Sequence, residues 1–191
     1  TPNAGSPLYS TPINITANTV LRAISISSDP NTPPSFVSTN TYFINISHTV
    51  PIIAICGDEV EDFINDIAAG AFSDNFDGAF EMFNSTGTLL DEGEGYYNKH
   101  GNDSWAYDQR GFDFKMVDQY GYNHAVRHPI FRGKNRDEYS KLIIKAAAND
   151  NYPFEDGAHI RDSYVHSLSQ VGELKLDERS FEPCVLYVNA Q

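Results

Sequence analysis

The sequence predicts a mixed α+β fold in which strands outnumber helices, and three observations carry that expectation. Short apolar runs such as Ile52-Ile53-Ala54-Ile55-Cys56 and Cys184-Val185-Leu186-Tyr187-Val188 have the length and β-branched content of buried strands. Helical periodicity occurs in two places, near residues 60–68 and near residues 158–171. The composition changes after Ser47: residues 1–47 are rich in Thr, Ser, Asn and Pro, and their only charges are Arg22 and Asp29. The chain therefore divides into a unit of residues 1–47 and a unit of residues 48–191.

In the first unit Val20 to Ile26 and Val37 to Ile46 are β-prone, and Asp29-Pro30-Asn31-Thr32-Pro33-Pro34 between them is turn chemistry. Two or three strands alone cannot bury a sandwich core, so this unit must lean on something or belong to a larger module. In the second unit, Val50 to Cys56 reads as a buried strand. Asp58 stands three before Glu61, the capping-box spacing, and Val60, Phe63, Ile64, Ile67 and Ala68 follow at helical intervals until Gly70. Ala79 to Phe83 and Gly111 to Val117 read as strands. Leu142-Ile143-Ile144-Lys145 reads as another, although Ala146-Ala147-Ala148 leaves helix open there. A second helix is predicted from Ala158 to Val171, with Ile160, Tyr164, Leu168 and Val171 on one face. The last strand halts at Asn189-Ala190-Gln191.

Composition narrows the function classes. The chain has 191 residues, 40% hydrophobic and 13% aromatic, enough for one core. It carries 26 Asp+Glu against 13 Lys+Arg, a net charge of −13, which argues against a nucleic-acid backbone as partner. The same acidity fits a secreted surface or plain solubility. No stretch approaches the ~18 consecutive apolar residues of a membrane helix. Thr1-Pro2-Asn3-Ala4-Gly5-Ser6 lacks the order of a signal peptide, as a mature or excised chain would. Cys56 and Cys184 both sit in apolar runs, so two buried free thiols are expected rather than a disulfide.

Two resemblances refine the fold. Ser6-Pro7-Leu8-Tyr9-Ser10, Ile13-Asn14-Ile15-Thr16 and Thr19-Val20-Leu21-Arg22-Ala23 resemble the small β-sandwich found as the C-terminal domain of chitobiases. Asn40-Thr41-Tyr42-Phe43-Ile44 resembles its closing strand. The same module recurs as a fibronectin-III-associated repeat in secreted bacterial proteins. Its front half has no counterpart here, so the resemblance implies a partial sandwich over residues 1–47. The module's role is that of a spacer or a carbohydrate-associated unit, and no aromatic platform for sugar is evident.

Residues 48–191 resemble the CotH family, through six stretches in order. His48-Thr49-Val50-Pro51-Ile52-Ile53 is similar to its opening strand, and Lys99-His100-Gly101-Asn102-Asp103-Ser104 to its glycine- and serine-containing loop. Tyr120-Gly121 and Pro129-Ile130-Phe131 resemble its landmarks before the next strand. Leu142-Ile143-Ile144-Lys145 with Asn149-Asp150 resembles its aliphatic strand and the Asn-Asp that follows. Ile160-Arg161-Asp162 resembles its helix start, and Pro183 to Asn189 its strand leading into an Asn-Gly hairpin. Ala190 departs from that Gly, and Gln109-Arg110-Gly111 departs from the family's Lys-Ser pair. The resemblance implies the N-terminal lobe of a kinase-like α+β domain, truncated at its C-terminal end. It further implies ATP and Mg²⁺ as cofactors and Ser/Thr-type protein kinase activity for the complete domain. The catalytic and Mg²⁺-binding Asp residues are expected beyond Gln191, so none is assigned within the chain and the fragment alone is expected to be inactive.

A kinase-like fold grips phosphates with the backbone N–H groups of a flexible loop and a cation on a neighbouring strand, which a helix orients. The candidates are Asn102, Asp103 and Ser104 for the loop, Lys145 for the cation, and Arg161 and Asp162 for the helix start. Each has a plainer reading: a polar turn, a solvated strand end, and a first-turn acid favoured by the helix dipole. Arg161-Asp162 could pair with Lys145 or Asp150. Metal ligation is weakly signalled. His124-x3-His128 runs into Pro129 without a third ligand, and Asp74–Asp77 or Asp91–Glu94 would hold calcium at most weakly. The expected setting is extracellular or on a bacterial cell surface, with a protein partner or surface assembly and self-association through an exposed edge at 184–188. The alternative function is a non-catalytic adhesion or structural protein that uses the kinase-like fold as a scaffold.

Overall fold

Every residue of Ile52–Cys56 is buried, and the remaining strands assemble around it. The computed structural model describes residues 1–65, 75–101, 105, 107, 109–147, 150 and 159–191. In chain order the strands are β1 (Thr19–Ala23), β2 (Ser38–Tyr42), β3 (Ile52–Cys56), β4 (Phe76–Phe83), β5 (Leu89–Lys99), β6 (Phe112–Met116), β7 (Lys141–Ile144) and β8 (Val185–Val188). The helices are α1 (Val60–Asn65) and α2 (Arg161–Val171). β3 to β8 form one six-stranded sheet in the order β7-β6-β5-β4-β3-β8. All its pairs are antiparallel except β3 with β8. The fold is thus a mixed, predominantly β, α+β architecture.

Alternation along the strands sorts side chains onto two faces. One face carries Ile53, Ile55, Phe80, Met82, Tyr97, Phe112, Phe114 and Met116, which form the main core with Val60, Trp105 and Val126. Phe80 stacks on Phe114 with ring centroids 5.0 Å apart, and Tyr97 meets Phe112 edge-on at 5.7 Å. Gly93 and Gly95 of β5 let β6 approach closely. A Cβ on Gly95 would lie 2.0 Å from the Lys115 carbonyl oxygen, and one on Gly93 would lie 2.4 Å from Met116 Cε.

The opposite face carries Ile52, Ala54 and Phe83, covered by Phe43, Ile46 and Tyr187. β1 and β2 form their own antiparallel ladder, with Val20 opposite Thr41, and that ladder is separate from the six-stranded sheet. Their side chains nevertheless pack on it. Phe43 lies 5.1 Å from Phe83 and 4.7 Å from Tyr187, and Thr39 and Thr41 are buried against β4 and β5.

Several expectations change against this geometry. β5, the longest strand, falls on Leu-Leu-Asp-Glu-Gly-Glu-Gly, where acids and glycines mask the β signal. Leu142 to Ile144 is a strand, not a helix. α1 matches the start of the first predicted helix, while Ile67, Ala68 and Gly70 lie outside the described residues. Cys56 is a buried free thiol as expected, but Cys184 is exposed, because it precedes the first paired residue of β8 at the sheet edge. The apolar face of α2 also faces solvent: Tyr164 is 59% and Val171 84% exposed, and Ile160 and Leu168 are exposed with them. Helical periodicity located the helix but did not give it a packing partner.

β8 is an edge strand, and it ends in a reversal. Val188 N–H donates to Gln191 O at 3.0 Å and Gln191 N–H donates to Val188 O at 2.9 Å, with Asn189 and Ala190 at φ 48° and 67°. That is a two-residue hairpin turn of the mirror-image type, which normally prefers Gly at the second position.

Gly95→Ala should destabilise the fold by about 1–3 kcal/mol in urea unfolding, because backbone must move to admit a methyl group. Gly133→Ala is the control. Its Cβ meets nothing within 4 Å at φ 74°, so only the left-handed backbone term of about 1 kcal/mol should appear.

Candidate functional site

The end of β7 and the start of α2 meet at a cluster of charges. Lys145 follows Ile144 directly, and its Nζ forms an ion pair with the Asp162 carboxylate in the first turn of α2. Asp150 makes the second link. Its Oδ2 accepts the backbone N–H groups of Ile160 at 2.8 Å and Arg161 at 3.1 Å, and its Oδ1 lies 3.1 Å from Arg161 Nε. Ile160, at the N-cap position, has no side-chain acceptor of its own, so Asp150 supplies the cap from outside the helix. The backbone N–H of Arg161, then that of Ile160, holds the Asp150 carboxyl below its usual range. Of the partners open to Arg161-Asp162, the structure pairs Lys145 with Asp162 and Asp150 with Arg161.

A residue that sequence reasoning passed over joins this group. The segment after α2 doubles back along the helix: Gln170 Nε2 donates to Arg179 O at 3.2 Å, and Arg179 N–H donates to His166 Nδ1 at 3.4 Å. This brings Arg179 near Lys145. Partial burial, then the Arg179 charge, lowers the Lys145 ammonium pKa from its ordinary value. No sequence signal distinguishes Arg179, because its placement depends on where the chain turns after Gly172.

The predicted loop residues Asn102, Asp103 and Ser104 lie outside the described residues. The base of their loop is well defined. His100 N–H donates to Gly111 O at 3.1 Å, and Trp105 Nε1 donates to the carbonyls of His100 and Gly111, both at 3.0 Å. His100 Nδ1 also lies 3.0 Å from Asp113 Oδ1. Lys99, Phe112 and Ile144 are aligned across β5, β6 and β7, and a Cβ on Gly111 would lie 3.7 Å from Lys145 Cα. The loop base and Lys145 therefore share one end of the sheet. Arg110, which stands in the departure from the family's Lys-Ser pair, has a packing role. It is buried, donates from Nη1 to Ile64 O at 2.5 Å, and sits 5.6 Å from the centre of the Trp105 ring.

A second polar cluster, also missed in the sequence, lies beneath the β1–β2 hairpin. Glu81 of β4 is 2% exposed and faces Glu92 across the ladder, with Glu94 two residues along β5. Burial pushes the Glu81 carboxyl up to about 7, against the lowering effect of two hydrogen bonds from Thr41. Glu92 and Glu94 are raised by burial as well. The alternation Glu92-Gly93-Glu94 placed both acids on one face, but only the tertiary structure shows that the face is covered.

Among the described residues, no group of three or more His, Cys, Asp or Glu side chains is arranged to hold a metal. Asp91, at the start of the predicted calcium stretch, accepts the Arg127 backbone N–H, and Asp74 lies outside the described residues. No helix among the described residues is long and apolar enough to cross a membrane. No family model, curated protein or solved structure matches the chain.

Asp150→Ala should fray the first turn of α2, read as faster exchange of the Arg161 to Tyr164 amides, with the main sheet unchanged. A double-mutant cycle on Lys145→Ala and Asp162→Ala should give a coupling below about 1 kcal/mol, because the pair is open to water.

Proposed function

We propose that this chain is the phosphate-facing front part of a secreted or surface-borne CotH-like, kinase-type protein of a bacterium, preceded by a partial β-sandwich spacer. The observation that carries the reading is the Lys145–Asp162 ion pair, which joins a strand end to the first turn of the following helix. Protein kinases use a strand lysine held by a helix acid in this order. Lys145, with Arg179 beside it, offers positive charge next to the anchored base of the 100–111 loop. ATP phosphates match that charge. Mg²⁺ would be held by residues that the resemblance puts beyond this chain.

Two observations favour the alternative, a non-catalytic surface or adhesion role. The exposed apolar residues of α2 suit a protein partner better than a nucleotide. An edge strand at 185–188 adds a second surface for association, including self-association.

The chain should bind ATP no better than millimolar, because the Lys145–Asp162 pair is open to water and each exposed ion pair contributes only ~0–1 kcal/mol. Phosphotransfer by the full-length protein decides between the readings. Activity that is lost in Lys145→Ala supports the kinase-type reading, full activity in that variant removes Lys145 from the mechanism, and no activity in either favours the scaffold.

A further inference from the structure

Three glutamates lie on the sheet face that the β1–β2 hairpin covers. Glu81 and Glu92 are direct cross-strand partners, an arrangement in which two like charges repel, and Glu94 is two residues along the same face. The hairpin supplies neutral donors. Thr39 Oγ1 donates to Glu94 Oε1 at 2.9 Å, Thr41 N–H donates to Glu81 Oε1 at 2.8 Å, and the Thr41 hydroxyl bonds Glu81 Oε2. β1 contributes Arg22, whose Nη1 is already 2.7 Å from Asp58 Oδ1. The other surrounding groups add little positive charge. Cys56 of β3 is a thiol pushed up to about 11 by burial, Asp91 adds a negative charge beside Glu92, and Tyr97 is a buried phenol. Lys115 stands over the Tyr96 ring at 5.9 Å, and His48 bonds the Tyr187 hydroxyl at the far end of the hairpin.

We propose that the β1–β2 hairpin is a proton-sensitive cover, seated on the sheet while the carboxyl groups beneath it are protonated and lifting from them as they ionise. A protonated Glu81 donates to the Thr41 hydroxyl while its other oxygen still accepts the Thr41 N–H, so no charge is buried. An ionised Glu81 is fully buried beside two half-buried carboxylates, while the Arg22 guanidinium acts on Asp58 and Glu94, and lifting the hairpin lets water reach Glu81. The apolar contacts of Phe43 with Phe83 and Tyr187 do not depend on protonation, so they serve as the pivot.

The sign follows from the direction of the shifts. Burial raises all three carboxyls in the seated state, Glu81 from 4.5 to about 7. The seated state therefore holds protons that the lifted state releases. Seating is strongest below the free glutamate range, weakens as pH rises through about 7, and levels off above it. The Glu81 shift alone corresponds to a change of roughly a hundred-fold or more in the opening equilibrium.

The test is amide hydrogen exchange at pH 5, 6.5 and 8, corrected for intrinsic exchange, comparing β1 and β2 with β3 and β6. The expected result is a loss of protection of at least ten-fold in the hairpin between pH 5 and 8, without a matching loss in β3 and β6. In Glu81→Gln, whose amide mimics the protonated acid, the hairpin should stay protected and the slope should flatten. Should that variant fail to fold, Glu94→Gln should reduce the slope. Hairpin protection that does not vary with pH would overturn the proposal, as would an unchanged slope in the folded variant.

Discussion

Burial of β3 on both faces is the constraint on which the rest of the structure depends. A strand of five apolar residues, Ile52 to Cys56, cannot leave either face to water. Ile53 and Ile55 bury one side beneath the aromatic residues of β4, β5 and β6. Ile52 and Ala54 need a second cover, and Phe43, Ile46 and Tyr187 supply it from the hairpin region and from β8. The N-terminal strands, too few for a core of their own, thereby gain a surface to lean on.

That second cover has a consequence for charge. Hydrophobic demand at β3 draws the hairpin across the sheet, and the same face of β4 and β5 carries Glu81, Glu92 and Glu94. The hairpin answers with threonine hydroxyls and one backbone N–H rather than with several cations. Buried carboxyl groups in such a setting shift toward the neutral form, so the packing and the protonation of this interface are coupled.

The candidate site at the other end of the sheet is built on a different principle. α2 buries little apolar surface, and its first turn is held by Asp150 on two backbone N–H groups and by Asp162 on Lys145. Its exposed Tyr164, Leu168 and Val171 leave an apolar surface available to a further partner.

Much was legible in the sequence wherever a residue's role depends on its neighbours in the chain. The apolar runs marked β3, β4, β6, β7 and β8, the 3.6-residue period marked both helices, and Asn189-Ala190-Gln191 marked the end of the last strand. Lys145, Asp150, Arg161 and Asp162 were recognisable as a group because a strand end and a helix start lie close in sequence. β5 was hidden because Asp91, Glu92 and Glu94 depress strand propensity, and only cross-strand partners and the hairpin make those acids tolerable there. Arg179 and the Glu81–Glu92–Glu94 group were likewise invisible, since each depends on residues far apart in the chain. The sequence by itself determined which segments extend, coil and turn, because those preferences are local steric and solvation properties of each stretch. Only the tertiary structure decided which faces are covered and which charges meet, because burial and Coulomb interaction depend on distance in space rather than along the chain.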